Sequence, residues 1–189
     1  NPEFAKKMAA VADVYVNEAF GNSHRDHASM TLLPTLLPHA AGAHLRREVM
    51  ELNKLMQSPK RPFAAVVGGA KIDTKLPVIQ NLSKIADTVL VGGELPVEIE
   101  KKADKFAQNV VVGKLNADQK DLADETIEDF KKIINTSETI VWNGPMGLYE
   151  EGFSKGTQEI AAAIVDSGAY SVVGGGETTH FLETTGLIS

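Results

Sequence analysis

The chain has 189 residues with no cysteine, 43% hydrophobic and 23% charged, which fits one ample folded domain or two small ones and excludes a disordered tail, a disulfide scaffold and thiolate chemistry. Nineteen Lys and Arg against 25 Asp and Glu leave a net charge of −6, which argues against a broad nucleic-acid or membrane footprint yet permits a small polyanion held by a few local cations. No uncharged apolar run approaches the roughly 18 residues needed to span a bilayer.

Asn1–Lys7 lacks an apolar core and does not read as a signal peptide, and the missing initiator Met points to a chain that starts in mid-protein or has been processed. Phe4, Met8, Val11 and Ala12 recur at helical spacing and lead into a short β-prone run, Asp13–Asn17. Gly21–His27 is dense in turn formers and reads as a loop in which Arg25 suits bidentate binding of a phosphate or carboxylate. With no Cys and no well-spaced acidic partner, the two histidines of that loop make a poor zinc site, and His39, His44 and His180 are isolated. Leu45–Met56 suits a helix closed by Ser58-Pro59.

From residue 60 the pattern changes. Phe63–Val67, Thr88–Val91, Thr139–Trp142 and Tyr170–Val173 are apolar, β-branched runs without polar alternation, as expected of strands buried on both faces of a parallel sheet. Helix-like segments, Thr74–Ile85, Glu125–Ile134 and Thr157–Asp166, lie between them, giving the βαβ alternation of a doubly wound α/β domain. Each run ends in glycine or Asn-Gly, so residues without bulk collect at the carboxyl edge of the sheet, where open α/β folds bind ligands. Bare backbone there lets phosphate oxygens approach N–H groups, although the same glycines also suit purely structural tight turns.

Three strings carry candidate chemistry. Gly68–Lys75 places Lys71 and Lys75 four residues apart after a buried strand, so a helix starting near Lys71 sets both ammonium groups near its positive end, where a polyanion between them relieves their repulsion. It is neither a Walker A loop nor a dinucleotide fingerprint, and two solvated helix lysines are the simpler alternative. Val141–Glu150 offers the amide of Asn143, a rigid turn, and Glu150 as a hydrogen-bond acceptor for a ribose diol or as a surface loop residue. Gly174–Thr179 opens a helix with three glycines and two hydroxyls, a phosphate cradle in which Glu177 is an oxygen ligand suited to Mg²⁺ or simply complements the helix dipole.

Asp13–Gly21 with Ser23-His24-Arg25, Pro59–Phe63 running into Gly68–Lys71 and Lys75, the Trp142–Glu150 string and the Gly174–Thr178 loop together resemble phosphoglycerate kinases, in the same order and over nearly the whole chain. The resemblance implies a Rossmann-like nucleotide domain over 58–189, an interdomain helix at 45–57, and a partial α/β phosphoglycerate-binding domain over 1–44. It implies a cytoplasmic, glycolytic, hinge-bending transferase, a monomer that uses no nucleic acid or membrane. The activity implied is phosphoryl transfer between 1,3-bisphosphoglycerate and Mg-ADP to give 3-phosphoglycerate and ATP.

By resemblance, Arg25 binds phosphoglycerate, Lys71 contacts the transferring phosphate, and Asn143 lies near the phosphates. Lys75, Gly175, Gly176 and Thr178 hold nucleotide phosphates, Gly92 and Gly93 line the adenine side, Glu150 binds ribose and Glu177 holds Mg²⁺.

The chain also departs from the family. It lacks the opening region, the final Gly-rich segment, and the glycine, helix and strand that usually follow Gly93, where Glu94 alone precedes Leu95-Pro96-Val97-Glu98. Glu177 replaces an Asp, and Ala123 stands where Gly is common. A strand ending at Gly93 cannot return to a parallel neighbour in two residues, so we expect the sequence to be an incomplete stretch of a longer chain, or this region to be rebuilt. Two readings stand beside the kinase: a non-catalytic nucleotide-binding α/β module, and an unrelated α/β domain with structural glycines.

Overall fold

Asn1 caps the first helix, α1 (Pro2–Ala9), accepting at its side-chain oxygen from the N–H groups of Glu3 and Phe4 at 3.1 and 3.2 Å, while Pro2 sits at a position that needs no donor. The helix ends before Val11 and Ala12, and a short parallel pair follows, β1 (Tyr15–Asn17) beside β2 (His39–Ala41), with Tyr15 opposite His39. Between the strands, residues 23–27 form the expected loop, followed by wide helical turns and a short helix α2 (Leu33–Leu36). Glu18 then starts the long helix α3 (Ala43–Gln57): its carboxylate accepts from the N–H groups of Ala43 and His44 at 2.8 Å and Leu45 at 3.2 Å. These elements form one unit, Asn1–Ser58.

Pro59–Ser189 forms the other unit; the structure, a computed structural model, describes residues 1–102 and 106–187, so the last two residues of the stretch assigned to nucleotide binding lie outside the described residues. Strand β3 (Phe63–Val67) is buried at every position, as its unbroken apolar run requires. In chain order there follow α4 (Ile72–Leu82), β4 (Thr88–Val91), α5 (Leu95–Lys102), β5 (Val110–Val112), α6 (Asp124–Asn135), β6 (Thr139–Asn143), α7 (Lys155–Ser167), β7 (Tyr170–Gly174) and α8 (Gly176–Thr184). All five strands are parallel, in the order β5-β4-β3-β6-β7. The order runs outward from β3 in both directions, so the chain reverses between β3 and β6, and a crevice opens at their carboxyl ends.

The helices start within a few residues of their expected positions, and the four expected strands are all present. After Gly93 the chain continues directly into a helix. Leu95-Pro96-Val97 opens α5, with Pro96 in its first turn, and β4 pairs in parallel with β5, a strand that the sequence reading did not contain. Val66, Leu90, Ile140 and Trp142 of the sheet pack with Phe130 and Ile134 of α6, Ile160 and Ile164 of α7, and Phe181 of α8, all at most 6% exposed. That core fixes the sheet edge on which the candidate residues sit.

Candidate functional site

The loops that follow β3, β4 and β6 are tied to one another through their backbones. Gly68 and Gly69 donate to Asn143 O and Pro145 O at 2.9 Å, Glu94 donates to Gly69 O at 3.0 Å, and Gly93 donates to Met146 O at 3.2 Å. Such approach leaves no room for side chains: a Cβ on Gly93 meets Gly69 N at 2.5 Å and Pro145 O at 2.9 Å. Gly93 and Gly144 also adopt φ of +66° and +97°, which L-residues seldom take. These glycines therefore serve loop-to-loop packing, with the N–H groups of Gly68, Gly69 and Gly93 spent on carbonyls, so at these turns the structural alternative describes the glycines.

The phosphate-binding geometry is concentrated at α8. Gly175 precedes the helix with φ +95° and no side chain caps its first turn, so the N–H groups of that turn point into the crevice with the positive end of the dipole. A cavity of about 440 Å³ there is lined by Lys71, Thr74, Lys75, Asn143, Gly175, Gly176, Glu177 and Thr178, among others. Lys71 is the N-cap of α4, and Lys75 lies one turn along. Both lysines thus reach one cavity, as their spacing predicts.

Lys75 is half-buried and its Nζ donates to Asn143 Oδ1. Burial lowers its pKa from the ordinary 10.5, and the nearby Glu177 carboxylate opposes that shift. Thr178 is fully buried, and its hydroxyl oxygen accepts from Gly144 N at 3.0 Å, fastening the β6 turn to α8.

A second cavity, of about 150 Å³, shares Gly69, Ala70 and Glu177 with the first and continues along Gly93, Glu94, Pro145, Gly147, Leu148, Tyr149 and Glu150. Glu150 lies exposed on the single helical turn Tyr149–Glu151. The Tyr149 ring meets Phe181 of α8 edge-on, with centroids 5.1 Å apart. Asp121, 4% exposed, supports this wall from beneath by accepting from Leu122 N at 2.8 Å and Gly156 N at 3.1 Å. Burial raises the Asp121 pKa above the usual 3.8 despite backbone N–H donors that act to lower it.

The structure thus brings Lys71, Lys75, Gly93, Asn143, Glu150, Gly175, Gly176, Glu177 and Thr178 to two adjoining cavities. Gly92 reaches neither wall; it is buried, and a Cβ there meets Met146 Sδ at 2.8 Å. Arg25 belongs to the unit Asn1–Ser58, exposed on its loop. Sequence reasoning missed Ala70, Glu94, Pro145, Leu148 and Tyr149 as lining residues, although most fall within or beside the strings it singled out. Among the described residues no group of three or more His, Cys, Asp or Glu gathers to hold a metal. A lone carboxylate such as Glu177 still fits Mg²⁺, an ion that commonly takes one or two protein carboxylates and completes its shell with phosphates and water.

A family model described as phosphoglycerate kinase matches residues 1–104 and 94–189. The chain is 35% identical over 231 positions to a phosphoglycerate kinase of Finegoldia magna, covering 97% of this chain and 58% of that protein. It is 36% identical over 236 positions to one of Hydrogenobaculum sp., covering 99% and 60%. A solved phosphoglycerate kinase from Pyrococcus horikoshii superposes with a TM-score of 0.82 at 27% identity, over 97% of this chain and 60% of that one. The chain spans about three fifths of the length of the curated relatives it matches. The two family matches meet at residues 94–104, where the chain departs from the family after Gly93.

Proposed function

This chain belongs to the phosphoglycerate kinase family, and from that premise we propose that it carries the nucleotide half of a cytoplasmic, monomeric glycolytic enzyme that transfers a phosphoryl group between 1,3-bisphosphoglycerate and Mg-ADP, giving 3-phosphoglycerate and ATP. The observation that carries the proposal is the convergence of Lys71, Lys75, Asn143 and Glu177 on one cavity at the N-terminus of α8, at the strand-order reversal.

Phosphoryl transfer asks little covalent chemistry of a protein; it asks for alignment and for positive charge where charge spreads over phosphate oxygens. In this proposal the α8 N–H groups and Lys75 hold the nucleotide phosphates, and Asn143, by accepting from Lys75, fixes where that ammonium points. Lys71 faces the phosphoryl group in transit. Glu150 accepts hydrogen bonds from the ribose diol, and Gly93 and Pro145 belong to the base-side wall. Glu177 is the residue that holds Mg²⁺, which when bound supplies positive charge to the phosphates. Residues 1–44 are the partial phosphoglycerate-binding domain, in which Arg25 takes the substrate's phosphate or carboxylate, and 45–57 is the interdomain helix. Closure by hinge bending keeps water from the acyl phosphate.

Both cavities are lined entirely by residues of the unit Pro59–Ser189, which favours a second reading, a nucleotide-binding module without transfer. Calorimetric titration with Mg-ADP tests what the two readings share: saturable 1:1 binding is expected, and a folded sample that takes up no nucleotide overturns both. A coupled assay for ATP formed from ADP and 1,3-bisphosphoglycerate then separates them, since the module binds ADP without transfer.

A further inference from the structure

We propose that Asp121 is a positioning residue for the nucleoside end of the nucleotide: its buried carboxylate joins the start of α7 to the turn beneath Gly147–Glu150 and so fixes the wall of the smaller cavity, while the phosphate end of the site stands without it. The inference rests on the nucleotide reading of the site and goes beyond it, because Asp121 is not among the residues that line either cavity.

Three observations carry it. Asp121 is 4% exposed, and the donors to its carboxylate are backbone N–H groups: Leu122 N reaches Oδ1 at 2.8 Å, and Gly156 N is shared between Oδ1 at 3.2 Å and Oδ2 at 3.1 Å. The neighbouring lysines are engaged elsewhere, Lys155 with Asp124 at 2.8 Å and Lys120 with Glu151 at 2.5 Å. Ser154, at the N-cap position of α7, makes no side-chain cap bond, so the helix start relies on a carboxylate 35 positions before Gly156.

The carboxylate is also wedged against the cavity wall. A Cβ built on Gly147 or on Gly156 collides with Asp121 Oδ1, which places the carboxylate between the cavity-lining Gly147 and the first turn of α7. The main chain beside Asp121 is tied to the same wall. Lys120 O accepts from Leu148 N at 2.9 Å, and Leu148 O accepts from Phe153 N at 3.1 Å. Asn116 Oδ1 accepts from Lys120 N at 3.1 Å, and Asn116 N donates to Asp121 O at 2.8 Å, closing the turn on itself.

A helix start alone is capped well by an exposed Ser, Thr or Asn. A buried carboxylate is costly unless its oxygens are filled, and here one carboxylate fills three contacts on two segments at once. What it adds is rigidity: Leu122 and Gly156 are held to a common point, and the wall of Gly147–Glu150 is set before base and sugar arrive. Lys71, Lys75 and the α8 N–H groups belong to other elements, so the phosphates are gripped independently of this clamp.

The experiment titrates the full 189-residue chain and its Asp121→Asn variant with ADP and with inorganic diphosphate, each with Mg²⁺. Asn keeps the shape of the side chain but turns one acceptor oxygen into a donor that faces N–H groups. Asp121→Asn is expected to weaken ADP about three- to tenfold and to leave diphosphate within about twofold. A role in stability alone moves both ligands together or neither. Where Asp121→Asn yields no folded protein, Gly156→Ala takes its place, since it displaces the same carboxylate with its charge kept, and the same split is expected. Amide exchange on the wild-type chain needs no substitution: saturating Mg-ADP is expected to slow the Leu122, Leu148 and Gly156 N–H groups, and diphosphate to leave them unchanged. Equal losses for both ligands, no loss of ADP affinity, exchange that ADP does not alter, or a wild-type chain that takes up ADP but no diphosphate overturns the positioning role and leaves the nucleotide site standing. A wild-type chain that binds neither ligand overturns the site reading and this inference with it.

Discussion

Lys75 is the residue on which the site's electrostatics turn. It is half-buried, donates to Asn143 and faces Glu177, so its ammonium is oriented before any ligand arrives. Replacing it by Ala is expected to weaken ADP by about tenfold or more, the worth of one charge-assisted hydrogen bond, and calorimetry reads this directly. Lys71 is exposed and caps α4 without a side-chain cap bond of its own. Lys71→Ala should therefore lower the transfer rate more than ADP affinity, and a pure binding defect contradicts its role at the moving phosphoryl group. Glu177→Gln should weaken Mg-ADP far more than metal-free ADP, and equal losses remove the metal role.

Gly144 shows where residue-level reading stops short. Its bare backbone was legible in the sequence as a means of approaching phosphate, but a Cβ there collides with Gly68 O, and its N–H is bound to Thr178. Which partner a glycine N–H finds depends on loops far apart in sequence. Gly144→Ala should accordingly cost at least about 2 kcal/mol of stability, read by denaturant unfolding.

At the scale of elements, the strands were legible because burial on both faces removes polar residues from them, and Phe63–Val67 is the clearest case. β5 was not, since Val110–Val112 is three residues long and exposes Val111 and Val112. Leu95-Pro96-Val97 carries too little pattern to decide between helix and strand; its position after the tight Gly93 turn decides it.

The cap of α3 is a tertiary contact that no local pattern announces, because Glu18 lies far from Ala43 in sequence. Desolvation acts against the charge on Glu18, yet the N–H groups of Leu45, His44 and Ala43 outweigh it and hold its pKa below the ordinary 4.5. A carboxyl whose pKa is lower folded than unfolded contributes its full stability above that ordinary value and loses it as pH falls through the folded one. Amide protection factors at the start of α3, corrected for the intrinsic pH dependence of exchange, should therefore fall on acidification, and Glu18→Gln should abolish that fall. An unchanged pH response in the variant contradicts the cap.

For the whole molecule, the strand order β5-β4-β3-β6-β7 gathers residues from three separated strings at one reversal point. The sequence held those strings in plain view, while the adjacency of Tyr149 with Phe181, and the wall shared by Glu94 and Glu150, exist only once the sheet has formed. The account's central claim is that this edge holds a diphosphate. Calorimetric titration of the chain and its Lys75→Ala variant with Mg-ADP and with AMP tests that claim most directly. The account predicts that ADP binds the wild-type chain at least about tenfold more tightly than AMP, and that Lys75→Ala removes most of the difference. Equal affinity for ADP and AMP, or an ADP preference that survives the loss of Lys75, contradicts it.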